Sequence, residues 1–181
     1  MKKLLTICLI MATTLSISAQ EGKPTKEETI AYLDKVLKMS IGYKHYGVVE
    51  DIRQVEFRIK YYSFTESKVT LTQNQTDYRN HSSKNGETSW ANFDWTNVKS
   101  ITTNSLSKND QLPNDSLWRD KELESINIKF SNPIIIDWGD GPEPRYSFGL
   151  LVLKTKADSA IKALNRLIEL AKEENKDPFK D

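Results

Sequence analysis

The chain has 181 residues, with 26 Lys+Arg against 25 Asp+Glu, two histidines and one cysteine. That length suits a single domain, and near-neutral charge with both signs interspersed excludes a polyanion binder held by bulk electrostatics, nucleic acid included. One cysteine and two histidines leave no material for disulfide staples or a multi-histidine zinc site.

The N-terminus carries an export pattern. Met1-Lys2-Lys3 is a basic lead, residues 4–15 are mostly apolar, and Ser16-Ile17-Ser18-Ala19 ends in small residues. This predicts a signal peptide over 1–19, cleaved after Ala19, and a periplasmic or secreted protein. Cys8 is removed with it, so no thiol remains. No later apolar run is long enough to span a membrane as a helix. Residues 20–181 form the single expected domain.

Thr25-Lys26-Glu27-Glu28 has the form of a capping box, and Ile30, Leu33, Val36 and Leu37 follow at helical spacing. A leading helix over 24–42 is expected, with Gly42 as its stop. The period then changes. Val55, Phe57, Ile59 and Tyr61 alternate with Glu56, Arg58 and Lys60, the pattern of a half-buried strand. Val69 and Leu71 continue it. The polar stretch 73–87 reads as a loop, with a tight turn at Asn85-Gly86. Phe93, Trp95, Val98 and Ile101 mark the next strand, and Ile126, Ile128 and Phe130 another. Asn132-Pro133 suggests a turn before the β-prone Ile134-Ile135-Ile136. Asp137-Trp138-Gly139-Asp140-Gly141-Pro142 is a loop on its glycines, and Tyr146, Phe148, Leu150 and Val152 form a strand whose other side, Leu151 and Leu153, is also apolar. Strands thus occupy 53–154. A C-terminal helix over 155–175 is expected, capped by Thr155, with Ala160, Ile161, Leu164, Leu167, Ile168 and Ala171 as its buried stripe. The longest irregular stretch is 105–120.

This order predicts a mainly β protein with helices: a bent antiparallel sheet or small barrel of about six strands, led by one helix and closed by another. The run Phe93-Asp94-Trp95-Thr96-Asn97-Val98-Lys99-Ser100-Ile101 resembles a strand of the pleckstrin-homology-like (PH-like) superfold, and 156–170 resembles its terminal helix. The signal, leading helix and closing Asp177-Pro178-Phe179 resemble small exported bacteroidete proteins. The resemblance implies binding rather than catalysis. Lipid-binding members of the superfold carry basic residues in the first strand-to-strand loop; here 62–68 offers only Lys68 beside Glu66, which departs from an inositol-phosphate site.

Three groups of residues are candidates for chemistry. Asp137, Asp140 and Glu143 bring three carboxylates to one glycine-bent loop, the donor type of a calcium or hydrolase metal site. The phrase also resembles a PKD-domain hallmark, but the surrounding strands do not fit that fold. No EF-hand pattern is present, and a polar hairpin accounts for the same residues. Trp90, Trp118 and Trp138 fall in or beside loops and are the candidate binding surface, since aromatics with polar handles are enriched at interfaces. Trp95 and Tyr61 are assigned to the core. Asp115-Ser116-Leu117 resembles a bacteroidete O-glycosylation acceptor, with Ser116 as the modified residue. His45 and His81 have no adjacent nucleophile or acid, and no hydrolase or phosphate-loop motif occurs. The sequence calls for no cofactor. It ranks a non-catalytic envelope binding module for a protein or peptide first, a carrier of an apolar ligand or lipid second, and a metal-dependent hydrolase third. The inward positions Phe57, Ile59, Leu71, Phe148 and Leu150 favour a filled interior over a hollow one.

Overall fold

The computed structural model describes residues 22–49, 53–77, 82–104 and 122–176. The expected signal peptide over 1–19, together with Tyr78, His81, Ser116 and Trp118, lies outside the described residues. Within them the chain runs α1 (Lys26–Lys38), β1 (Lys44–Val49), β2 (Arg53–Phe64), β3 (Lys68–Asp77), β4 (Ser82–Ala91), a 3-10 turn at Trp95–Asn97, β5 (Val98–Asn104), β6 (Leu123–Asp137), β7 (Pro142–Leu153) and α2 (Ala157–Glu174). The seven strands form one antiparallel sheet, curled into a half-barrel, and the fold is α+β as the pattern of apolar residues predicts.

α1 starts as expected: the Thr25 hydroxyl accepts from the Glu28 N–H, and Glu28 accepts from the Thr25 N–H. Its face of Leu33, Val36 and Leu37 is buried, and it packs on β2 and α2 of its own domain. It stops at Lys38 rather than at 42, and Gly42 holds the left-handed φ of +91° in the turn that follows. α2 differs at its start. Thr155 lies in a 3-10 turn (Lys154–Lys156), and Lys156 takes the cap position without a side-chain hydrogen bond. Asp158 in the first turn supplies the favourable charge. Lys26 Nζ ties the ends together, 2.5 Å from Glu66 in the β2–β3 turn and 2.6 Å from Glu174 at the end of α2.

Two irregularities set the shape. In β2, Lys60 and Tyr61 together stand against Thr72, a bulge that shifts the side-chain phase by one residue. Val55 and Ile59 point inward before it, Tyr62 and Phe64 after it. Tyr61 is therefore turned out, 49 % exposed, and Tyr62 takes the core place that strict alternation assigns to its neighbour. In β6, residues 130–133 stand against Tyr146 alone. Pro133, with no N–H to give to a ladder, sits in this break rather than in a turn between strands. The bend lets one edge of β6 serve two neighbours: β5 from Ser125 to Phe130, then β4 from Ile135 to Asp137. β7 runs along the other edge throughout.

The polar stretch after Leu71 is a hairpin, not a long loop. β3 continues to Asp77 and β4 returns from Ser82, so Asn85-Gly86 lies mid-strand opposite Gln73 and Asn74. Backbone pairing along ten residues of each strand holds what apolar periodicity does not announce. Trp95 opens the 3-10 turn instead of continuing a strand; Asp94 caps that turn by accepting from the Thr96 N–H. Its ring is buried among Phe64, Phe93 and Phe130, and its indole N–H donates to the Glu66 carbonyl at 2.8 Å.

The seam of the half-barrel is closed by hydroxyls. Among the described residues β7 pairs with β6 alone, and at Leu151 its N–H donates to the buried Tyr62 hydroxyl at 3.0 Å while its carbonyl accepts from Ser40 at 3.2 Å. Burial pushes the Tyr62 phenol well above its ordinary pKa, against the opposing effect of the Leu151 N–H, so it stays neutral. Asp34 anchors α1 to the same seam, accepting from the Phe64 N–H at 3.0 Å and from Lys38 at 2.7 Å.

Candidate functional site

The inward phase of β3 explains where a site forms. Val69 and Leu71 point into the core, and the same phase continues as Gln73, Gln75 and Asp77. Opposite them on β4 stand Trp90, Thr88, Gly86, Lys84 and Ser82 in order. One concave face thus changes from apolar to hydrogen-bonding side chains along its length. The two helices contact β2 and β5–β7 and cover the apolar end. The other end opens into a cleft of about 300 Å³.

Phe57, Gln73 and Gln75 contribute from β2 and β3, residues 84–88 from β4, and Trp138 and Asp140 from the β6–β7 loop. Trp138 is 51 % exposed. The loop bearing it is held by its own chemistry: Gly139 and Gly141 take φ of +92° and +119°, which a glycine adopts without a Cβ clash, and the Gly139 N–H donates to Asp137 Oδ1 at 2.8 Å. Behind the cleft, the His45 ring stacks on Phe57 with centroids 4.9 Å apart, and the Gln73 amide donates to His45 Nε2 at 2.5 Å. A ring nitrogen that accepts is unprotonated, which places the proton of the neutral imidazole on Nδ1. Burial lowers the His45 pKa from the ordinary 6.5 to about 4. His45 is thus a neutral buttress that orients Gln73.

The candidate residues divide. Trp138 stands at the rim of the cleft, as a binding aromatic should. Trp90 does not: it is 5 % exposed in β4, opposite Ile136, with its ring 5.7 Å from Phe148. It is on the inward phase of the strand and belongs to the core. The three carboxylates also separate. Asp137 holds the loop backbone, Asp140 lines the cleft, and Glu143 pairs with Arg145 at 2.8 Å on β7. Alternation along the strand and the intervening glycine turn keep them from converging, and among the described residues no group of three or more His, Cys, Asp or Glu is placed to hold a metal ion. Phe57, read as filled core, is partly exposed as part of the cleft wall.

Sequence reasoning missed Gln73, Gln75, Lys84 and Thr88. The available signal was the phase itself, because glutamines that continue an apolar alternation mark the place where a strand face loses its cover. A larger hollow of about 630 Å³ lies between α1 and α2, lined by Pro24, Tyr32, Ala163 and Arg166 among others. Its guanidinium is spent on the Pro24 carbonyl and on Glu169, so it reads as an imperfectly filled helix contact. No known protein family, curated protein or solved structure matches the chain.

Proposed function

We propose that this chain is a non-catalytic, exported binding module that presents the open end of its half-barrel to a protein or peptide partner in the cell envelope. One observation carries the reading. Gln73 and Gln75 occupy the inward phase of β3 where the helices no longer cover it, and the half-exposed Trp138 stands across the cleft from them. Neutral amides that both donate and accept, beside an indole with an apolar face and one N–H, suit a ligand rich in peptide groups. Export rests on the signal pattern of 1–19. The carrier reading finds less support, because Ile59, Leu71, Phe148 and Leu150 fill the inward positions that a ligand would need.

The test is site-specific photocrosslinking. A benzophenone amino acid replaces Glu87 at the cleft or Ser147 away from it, and the mature protein is irradiated in envelope extract. The expected result is one crosslinked polypeptide from position 87 that is absent at 147 and lost with Trp138→Ala. Equal crosslinking from both positions, or none from position 87, would refute the assignment.

A further inference from the structure

The cleft has an unusual wall: five consecutive residues of one strand, Lys84, Asn85, Gly86, Glu87 and Thr88. Successive residues of a strand point to opposite faces of its sheet. A hollow that touches all five therefore runs along the edge of β4 rather than lying on either face. The pairing agrees. β4 is bonded to β3 over its whole length, but to β6 only at Ser89, Trp90 and Ala91. From residue 83 to residue 88, that second edge meets no other strand among the described residues. β6 stops alongside it at Asp137, and the Trp138–Gly141 turn carries the chain away to β7. Among the described residues, no strand thus continues the line of β6 beside β4, for about 20 Å at the ordinary rise of a strand.

We infer that an extended peptide docks in this slot as an added strand, antiparallel to β4, with its N-terminal end at Trp138. The inference rests on the binding-module reading and gives that module its mode of recognition. Backbone groups on the edge of β4 supply the affinity, and the cleft walls select the side chains. The register follows from the strand. The peptide residue opposite Glu87 is basic. The next lies opposite Gly86, where a Cβ would meet nothing within 4 Å, so the free space takes a large apolar or aromatic side chain beside Phe57 and Trp138. The residue opposite Lys84, three positions after the basic one, is acidic. The slot thus reads basic, aromatic, any, acidic. Lys84 and Gly86 also discourage uncontrolled edge pairing, since an inward lysine and a weak strand former both blunt an edge.

A random linear peptide library displayed on phage is panned against the mature protein, and selected peptides are measured by fluorescence anisotropy. The expected consensus is the four-residue pattern above, weakened by Trp138→Ala and changed from acidic to basic at its last position by Lys84→Glu. N-methylation of the selected peptide, one residue at a time, is expected to weaken binding about tenfold or more at alternate residues and little between them. Peptides that need Trp138 and Lys84 but show no alternation would overturn strand addition and leave the module reading standing. Peptides indifferent to both variants, or none selected at all, would overturn both. A dimer in sedimentation that Glu87→Pro dissolves would make a second copy of this chain the occupant, and would overturn the partner assigned here.

Discussion

Replacing Tyr62 by Phe removes one oxygen from the centre of the domain and leaves the ring in place. That oxygen is the acceptor for the Leu151 N–H at 3.0 Å, at the point where, among the described residues, β7 has no strand beyond it. Tyr62 is 0 % exposed and Leu151 is buried, so water does not replace the lost acceptor. A buried backbone donor left without a partner costs about 1–3 kcal/mol. In a domain of this size, that lowers the melting temperature by roughly 3–10 °C. Urea unfolding followed by tryptophan fluorescence reads the free energy, and amide hydrogen exchange reads the cause. The Leu151 amide should lose protection by more than its neighbours on the paired edge of β7. Ser40→Ala, which removes the donor to the Leu151 carbonyl, should cost less, because an under-satisfied carbonyl is better tolerated than an orphaned N–H. A Tyr62→Phe protein within 0.3 kcal/mol of the parent (about the limit set by surface substitutions), with Leu151 still protected, would refute the view that this hydroxyl closes the seam.

Other consequences follow from the same geometry. The His45 pKa is lowered in the fold, so between about 4 and 6.5 the unfolded chain binds the extra proton. Stability from this residue is present above pH 6.5 and falls as pH drops toward 4, by about 3 kcal/mol at most; unfolding free energies from pH 7 to pH 4 should show a flatter acid limb in His45→Gln. Deleting Lys60 removes the extra residue of the β2 bulge and leaves Tyr62 two positions after Ile59, still in the inward phase, so near-ultraviolet circular dichroism should retain the signature of the aromatic core. The two tryptophans should part company in chemical denaturation. Trp90→Ala should cost about 3–5 kcal/mol as a core truncation, whereas Trp138→Ala should stay within about 0.5 kcal/mol of the parent while abolishing crosslinking from position 87.

Much of the architecture is legible locally, and the reason is solvent. Leu33, Val36 and Leu37 in α1, and Ala160, Leu164 and Leu167 in α2, recur at helical spacing because one face of each helix must leave water. The alternation in β2 and β7 and the reciprocal cap of Thr25 and Glu28 are signals of the same local kind. Order, element type and the α+β class follow from them.

Tertiary structure alone decided where alternation breaks and which faces stay uncovered. The bulge at Lys60 exchanges Tyr61 for Tyr62, and nothing in that apolar run marks the slip, because both residues are tyrosine. The hairpin of β3 and β4 is held by backbone pairing, to which polar side chains are indifferent, so Asn85-Gly86 imitates a turn while lying in a strand. Trp90 and Trp138 look alike in sequence, each next to turn residues, yet one is covered by Phe148 and the other is left at a rim. The difference is made by the bend at Pro133, which sends one edge of β6 first to β5 and then, for only three residues, to β4. A strand carries its own phase in its residues; the point at which its neighbour turns away is set by the rest of the chain, and that is where the cleft lies.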